Sequence, residues 1–219
     1  MKIAVPAYFE NKKDFEILLL SENVSMTVIN PCNGPGEKRN EEYNSIIKKL
    51  RDRGIEAFGY VHTSRASRHL SEVFSDIGKY ISWYDLDGIF LDEVSPKYKW
   101  EYYYRISKTL DEMGRKLIIN PGDVPDEDYI HISHVILSFE NTFDIYKKSK
   151  LRDWPNKYPS EKFWHILHTT NERDLNETLS LVKQRNAGFV YVTDCQEPNA
   201  YFRLPSYWKR EVDLISRDG

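Results

Sequence analysis

The chain has 219 residues, 40% of them hydrophobic and 30% charged, with a formal net charge of −3. That length can hold one large domain with a substantial core, and the balance argues against disorder. The charge supplies no basic field for nucleic acid, and no apolar run nears the roughly 18 residues of a membrane span, so neither partner is expected.

Met1-Lys2 leads directly into an apolar run at 3–9. That run is too short for a signal-peptide core and has no clear cleavage site, so it reads as a first strand. A cytoplasmic location is expected for the chain as written, and a secreted or cell-surface one if a leader has been removed. Cys32 and Cys195 form no disulfide framework, and free thiols are expected. Seven further strand-like runs follow at 25–31, 55–62, 88–94, 117–121, 134–140, 162–169 and 188–194. Between them lie helical patterns. Tyr43, Ile46, Ile47 and Leu50 repeat at helical spacing before a stop at Gly54. Residues 70–84 place Leu70, Val73, Phe74, Ile77, Tyr80 and Ile81 on one face, and a third helix spans about 98–113. A fourth, from about Glu172, sets Leu175, Leu179 and Val182 on one stripe. Weaker segments lie at 12–21, 123–131 and 141–151.

Eight strands alternating with helices predict a single (β/α)8 TIM barrel over 1–219, with 195–219 as a tail packing on it. An open doubly wound sheet is the runner-up, but no Gly-rich phosphate loop follows the first strand. Catalysis in such a barrel sits at the carboxyl ends of the strands. Those ends read Tyr8, Asn30, His62, Asp92 with Glu93, Asn120, Glu140, His168 and Asp194. The fourth run, Gly88 to Val94, ends in two adjacent carboxylates, which are costly to bury without partners and therefore suggest a site. Glycoside hydrolysis needs one carboxylate as nucleophile or base and a second as general acid, and Asp92 or Glu93 could face Glu140 across the mouth. Ser138, two residues before Glu140, is read as sharing its inward face. Strand parity does not choose between Asp92 and Glu93, because both faces of their strand are apolar.

Three segments carry a resemblance. Thr27-Val28-Ile29-Asn30-Pro31 with Gly34-Pro35-Gly36, then Gly59-Tyr60-Val61-His62-Thr63, then Trp83-Tyr84 through Asp87-Gly88-Ile89-Phe90-Leu91-Asp92-Glu93-Val94, are similar to the spherulin-4 family in order and spacing. The resemblance spans roughly residues 1 to 195. It implies a (β/α)8 barrel and retaining, endo-acting hydrolysis of α-1,4-linked galactosamine or N-acetylgalactosamine polysaccharide. It further implies Asp92 as nucleophile, with Glu93 beside it, and Glu140 as acid/base.

The other strand-end residues take supporting roles. His62 could bond a sugar hydroxyl, orient Asp92 or serve the fold alone. Asn30 and Asn120, each followed by Pro, could bind hydroxyls or only shape turns. Tyr8 could stack on a pyranose, as could Trp164, although Trp164 lies mid-strand and reads as core. His168 and Asp194 could bind substrate or cap loops. Trp100 to Tyr104 reads as helix core, and Lys147 to Lys150 as a solvated face. No His-x-His or His-Glu-x-x-His spacing occurs, so no metal or other cofactor is expected. The expected partner is a polysaccharide or oligosaccharide substrate, and the expected state is monomeric. Two alternatives remain: a non-catalytic carbohydrate-binding or cell-surface barrel, and a metal-assisted barrel hydrolase.

Overall fold

Each of the eight apolar runs forms a strand in the computed structural model, which describes residues 1–217. They are β1 (Lys2–Ala7), β2 (Val24–Ile29), β3 (Glu56–His62), β4 (Gly88–Asp92), β5 (Lys116–Ile119), β6 (Val135–Thr142), β7 (Phe163–His168) and β8 (Phe189–Val192). All neighbours pair in parallel in chain order, and β1 pairs β8, so the sheet is a closed barrel. This is the (β/α)8 architecture expected. The helices are α1 (Lys12–Leu20), α2 (Glu41–Asp52), α3 (Leu70–Tyr84), α4 (Trp100–Glu112), α5 (Phe143–Lys148), α6 (Leu175–Gln184) and α7 (Trp208–Arg217). Residues 123–131 hold only a short 3-10 turn, Glu127–His131. No helix among the described residues is long and apolar enough to cross a membrane.

Local chemistry sets these boundaries. Asn11 and Asn40 accept from backbone N–H groups of Asp14 and Glu42, satisfying donors that the first turns of α1 and α2 leave free. Gly59 lies where α3 touches β3: a Cβ there would sit 2.6 Å from the Tyr80 ring, so only glycine lets the helix approach. The segment after Cys195 contains α7, which buries Trp208 and Ile215 and lies against β1. Asp218 and Gly219, the end of the expected tail, lie outside the described residues.

The inward face of the strands can be read from one contact. Phe90 of β4 meets Trp164 of β7 at 5.9 Å between ring centroids, and these strands are not neighbours, so both rings fill the barrel interior. Trp164 is fully buried, which confirms it as core. Asp92, two residues beyond Phe90, shares its face. The parity argument for Glu140 needs correction. The β6–β7 register shifts between Leu137 and Phe139, which marks a bulge at Ser138. Ser138 Oγ bonds His165 Nε2 at 3.1 Å, His165 Nδ1 bonds the Tyr146 hydroxyl of α5, and Phe139 also packs on Tyr146. Ser138 and Phe139 therefore both face the helices. The bulge then returns Glu140 to the inside.

Candidate active site

Asp92 ends β4 directly opposite His62 in the β3–β4 register. Three donors hold it: the Tyr60 hydroxyl at 2.8 Å to Oδ2, Asn120 Nδ2 at 2.8 Å to Oδ1, and the Glu93 backbone N–H at 2.8 Å to Oδ1. Burial pushes the carboxyl above its ordinary range, and these hydrogen bonds to the ionised form offset part of the rise. Tyr60 itself stacks near Phe90 and meets the edge of Tyr8, giving the carboxylate an aromatic floor.

Asn120, 6% exposed at the end of β5, is the hub. Its Nδ2 donates to Asp92 Oδ1 at 2.8 Å and to Glu140 Oε2 at 2.6 Å, while its Oδ1 accepts from the Gly122 N–H. The amide has two hydrogens, and one goes to each carboxylate. The two bonded oxygens therefore lie no farther apart than the sum of those lengths, about 5.4 Å. Glu140 receives a second hydrogen bond, a short one from the Tyr201 hydroxyl to Oε1. Burial and then the Asp92 charge raise the Glu140 pKa, with the Tyr201 and Asn120 bonds opposing them. Two carboxylates this close do not readily ionise together, so the pair favours holding one proton.

Tyr201 comes from the loop between β8 and α7. Asp194 grips Arg203 through both carboxylate oxygens, at 3.1 and 3.2 Å, and also accepts from the Ser206 N–H. Burial alone would raise the Asp194 pKa, but these bonds outweigh it and hold the carboxyl low. Asp194 thus fastens the loop that delivers Tyr201, and Tyr201 meets Tyr8 edge-on at 5.6 Å.

The structure therefore brings Asp92, Glu140, Asn120 and Tyr8 together. Glu93 leaves the strand with φ of 52° and is exposed at the rim, where its Oε2 lies 3.9 Å from His62 Nδ1. His62 also bonds Ser64 Oγ. His168 is buried at the end of β7; burial lowers its pKa, and its Nε2 lies 3.8 Å from Glu197. Asn30 uses Oδ1 to accept from the Gly34 N–H, a turn role. Among the described residues, no three His, Cys, Asp or Glu side chains gather as a metal site.

Sequence reasoning missed Tyr60 and Tyr201. Tyr60 was recoverable, since it lies two residues before His62 on the same face of β3. Tyr201 had no such signal, because it lies in an irregular loop and meets Glu140 from 61 positions away.

The comparisons with known proteins agree with this fold. Residues 2–215 match the Spherulin4 family, described as spherulation-specific family 4. Spherulin-4 of Physarum polycephalum is 32% identical over 205 residues, 87% of this chain; the chain spans only 61% of that relative's length. Among solved structures, Aspergillus clavatus Sph3 in complex with GalNAc superposes with a TM-score of 0.84 at 24% identity, covering 98% of this chain and 97% of that one. A chitinase from Chromobacterium violaceum gives a TM-score of 0.65 at 13% identity, over 97% and 98% of the two chains. A fungal endo-β-N-acetylglucosaminidase of glycosyl hydrolase family 18 gives 0.63 at 13%, over 100% and 99%. The likeness to these structures is one of fold, and the chain belongs to the Spherulin4 family.

Proposed function

We propose that the protein is a retaining glycoside hydrolase, endo-acting on α-1,4-linked galactosamine or N-acetylgalactosamine polysaccharide. The observation that carries this reading is the shared Asn120 amide, which fixes Asp92 and Glu140 within reach of one sugar ring. A limit of about 5.4 Å between the bonded oxygens favours the narrow separation of retaining enzymes, roughly 5–5.5 Å, over the roughly 6.5–9.5 Å that leaves room for water in inverting ones.

In the first step Asp92 attacks the anomeric carbon while Glu140 gives its proton to the departing glycosidic oxygen. In the second, Glu140, now ionised, takes a proton from water, and that water displaces Asp92 from the sugar. The raised pKa of Glu140 suits the acid step, and loss of the Asp92 charge on forming the covalent bond lowers it for the base step. Tyr60 and the Glu93 N–H orient the nucleophile, and Tyr8 offers an aromatic surface to the ring. The choice of amino sugar rests on the family and on the GalNAc bound by Aspergillus clavatus Sph3.

The test follows reducing ends released from α-1,4 galactosamine-type polymers by wild type and by Glu140→Gln. Release by wild type alone supports the assignment, and equal release by both contradicts it. Polymer binding that survives Glu140→Gln, with no release by either protein, would favour a carbohydrate-binding barrel.

A further inference from the structure

The aromatic run opening α4 divides into two groups. Tyr103 is fully buried, and its hydroxyl accepts from the Ser95 N–H; the Tyr102 hydroxyl bonds the Arg68 carbonyl. Trp100 and Tyr104, also expected in the core, instead remain exposed at 39% and 41%. They stand one turn apart on the helix and stack on each other, with centroids 4.6 Å apart and planes at 14°. Neither belongs to the hydrophobic core cluster of the described residues. Tyr98, just upstream, is 92% exposed.

Large rings normally bury their area, so a stacked pair with about two fifths of each ring exposed, beside a third ring that is 92% exposed, leaves aromatic surface that a ligand can cover. Its place in the fold suggests which one. The loop of residues 93–99 runs directly from Asp92 to Trp100, on the strand-end side of the barrel where the carboxylates lie. That loop is anchored to the site: the Val94 N–H donates to the Asn120 carbonyl at 2.9 Å, and the Tyr129 hydroxyl donates to the Ser95 carbonyl. The platform is thus fixed relative to the amide that joins Asp92 and Glu140. Exposed Lys97 and Lys99 flank Tyr98 and disfavour a cationic ligand.

We propose that Tyr98, Trp100 and Tyr104 form a remote subsite that stacks on the pyranose faces of uncharged, N-acetylated units of the polymer, beyond the sugars held at the carboxylates. This deepens the glycosidase reading and rests on it for the identity of the ligand. The subsite serves long chains. Short oligosaccharides that fill only the centre do not reach it.

The test compares binding by Glu140→Gln with binding by Glu140→Gln carrying Trp100→Ala and Tyr104→Ala, by affinity electrophoresis in N-acetylated α-1,4-galactosamine polymer. Because both rings are exposed, thermal melting should remain unchanged and confirm that the protein is folded. The expected result is roughly a tenfold rise in Kd for the polymer, equivalent to one stacking contact of about 1.4 kcal/mol. Binding of free GalNAc should stay unchanged, and the fully deacetylated polymer should show no such difference. Equal polymer affinity in the two proteins, or no binding by either, overturns the proposal. Failure of the glycosidase reading is seen separately, as an absence of reducing ends from wild type while the platform-dependent binding persists.

Discussion

Asp92 and Glu140 are bonded to one nitrogen, Asn120 Nδ2, at 2.8 and 2.6 Å. That relationship sets their spacing, partly neutralises the repulsion between them and connects two strands, β4 and β6, through the strand between. Replacing Asn120 with Ala should therefore release both carboxylates. Misplacement of reacting groups by about 1 Å costs on the order of 10²-fold. We expect kcat of Asn120→Ala to fall by about that factor with KM changed much less, measured by steady-state kinetics on an oligosaccharide. An unchanged kcat would remove Asn120 from the machinery.

Tyr201 stabilises the ionised form of Glu140 by donating to it. Its removal in Tyr201→Phe should raise the Glu140 pKa further. The basic limb of the kcat/KM profile, where the general acid loses its proton, should then move to higher pH. A limb that stays in place or moves to lower pH would show that Glu140 is not the acid titrating there.

The Asp194–Arg203 pair holds the loop that carries Tyr201. Arg203→Ala should reproduce the shift expected of Tyr201→Phe while leaving the barrel folded. The same pH profile, with circular dichroism as the control, checks this. A profile identical to wild type would mean that the loop stays in position without the ion pair.

Glu211 of α7 is completely buried and accepts from the Val192 N–H through Oε1; burial, partly offset by that bond, raises its pKa to about 8. The unfolded carboxyl has its ordinary value of 4.5. Its proton is therefore held more tightly in the folded protein. The associated stability is fully present below about pH 4.5 and is lost as pH rises toward 8, by roughly 1.4 kcal/mol per pH unit in that window. Glu211→Gln keeps an acceptor for Val192 and cannot ionise. Urea denaturation at pH 5 and pH 8 should show wild type losing stability across the interval by several kcal/mol more than the variant. Parallel losses in the two proteins would contradict the assignment.

The barrel was legible because its strands are apolar runs separated by amphipathic helices, a pattern that depends on local periodicity alone. The two carboxylates were legible because each ends such a run. What the sequence hid were departures from periodicity. The bulge at Ser138 reverses parity, so Glu140 faces inward although Ser138 does not. Glu93 turns away from its neighbour through a single residue at positive φ. Tyr201 and the Asp194–Arg203 pair belong to a loop whose course is set by contacts between elements, which spacing does not encode. Trp100 and Tyr104 follow helical spacing, but periodicity says which residues share a face, not whether another element covers that face.

A double displacement by Asp92 and Glu140 is read most directly from the configuration of the first product. NMR of the anomeric protons during wild-type digestion of an α-1,4-linked N-acetylgalactosamine oligosaccharide should show the α-anomer first, with β appearing later by mutarotation. Initial release of the β-anomer, or hydrolysis undiminished in Glu140→Gln under the same conditions, would rule out that double displacement.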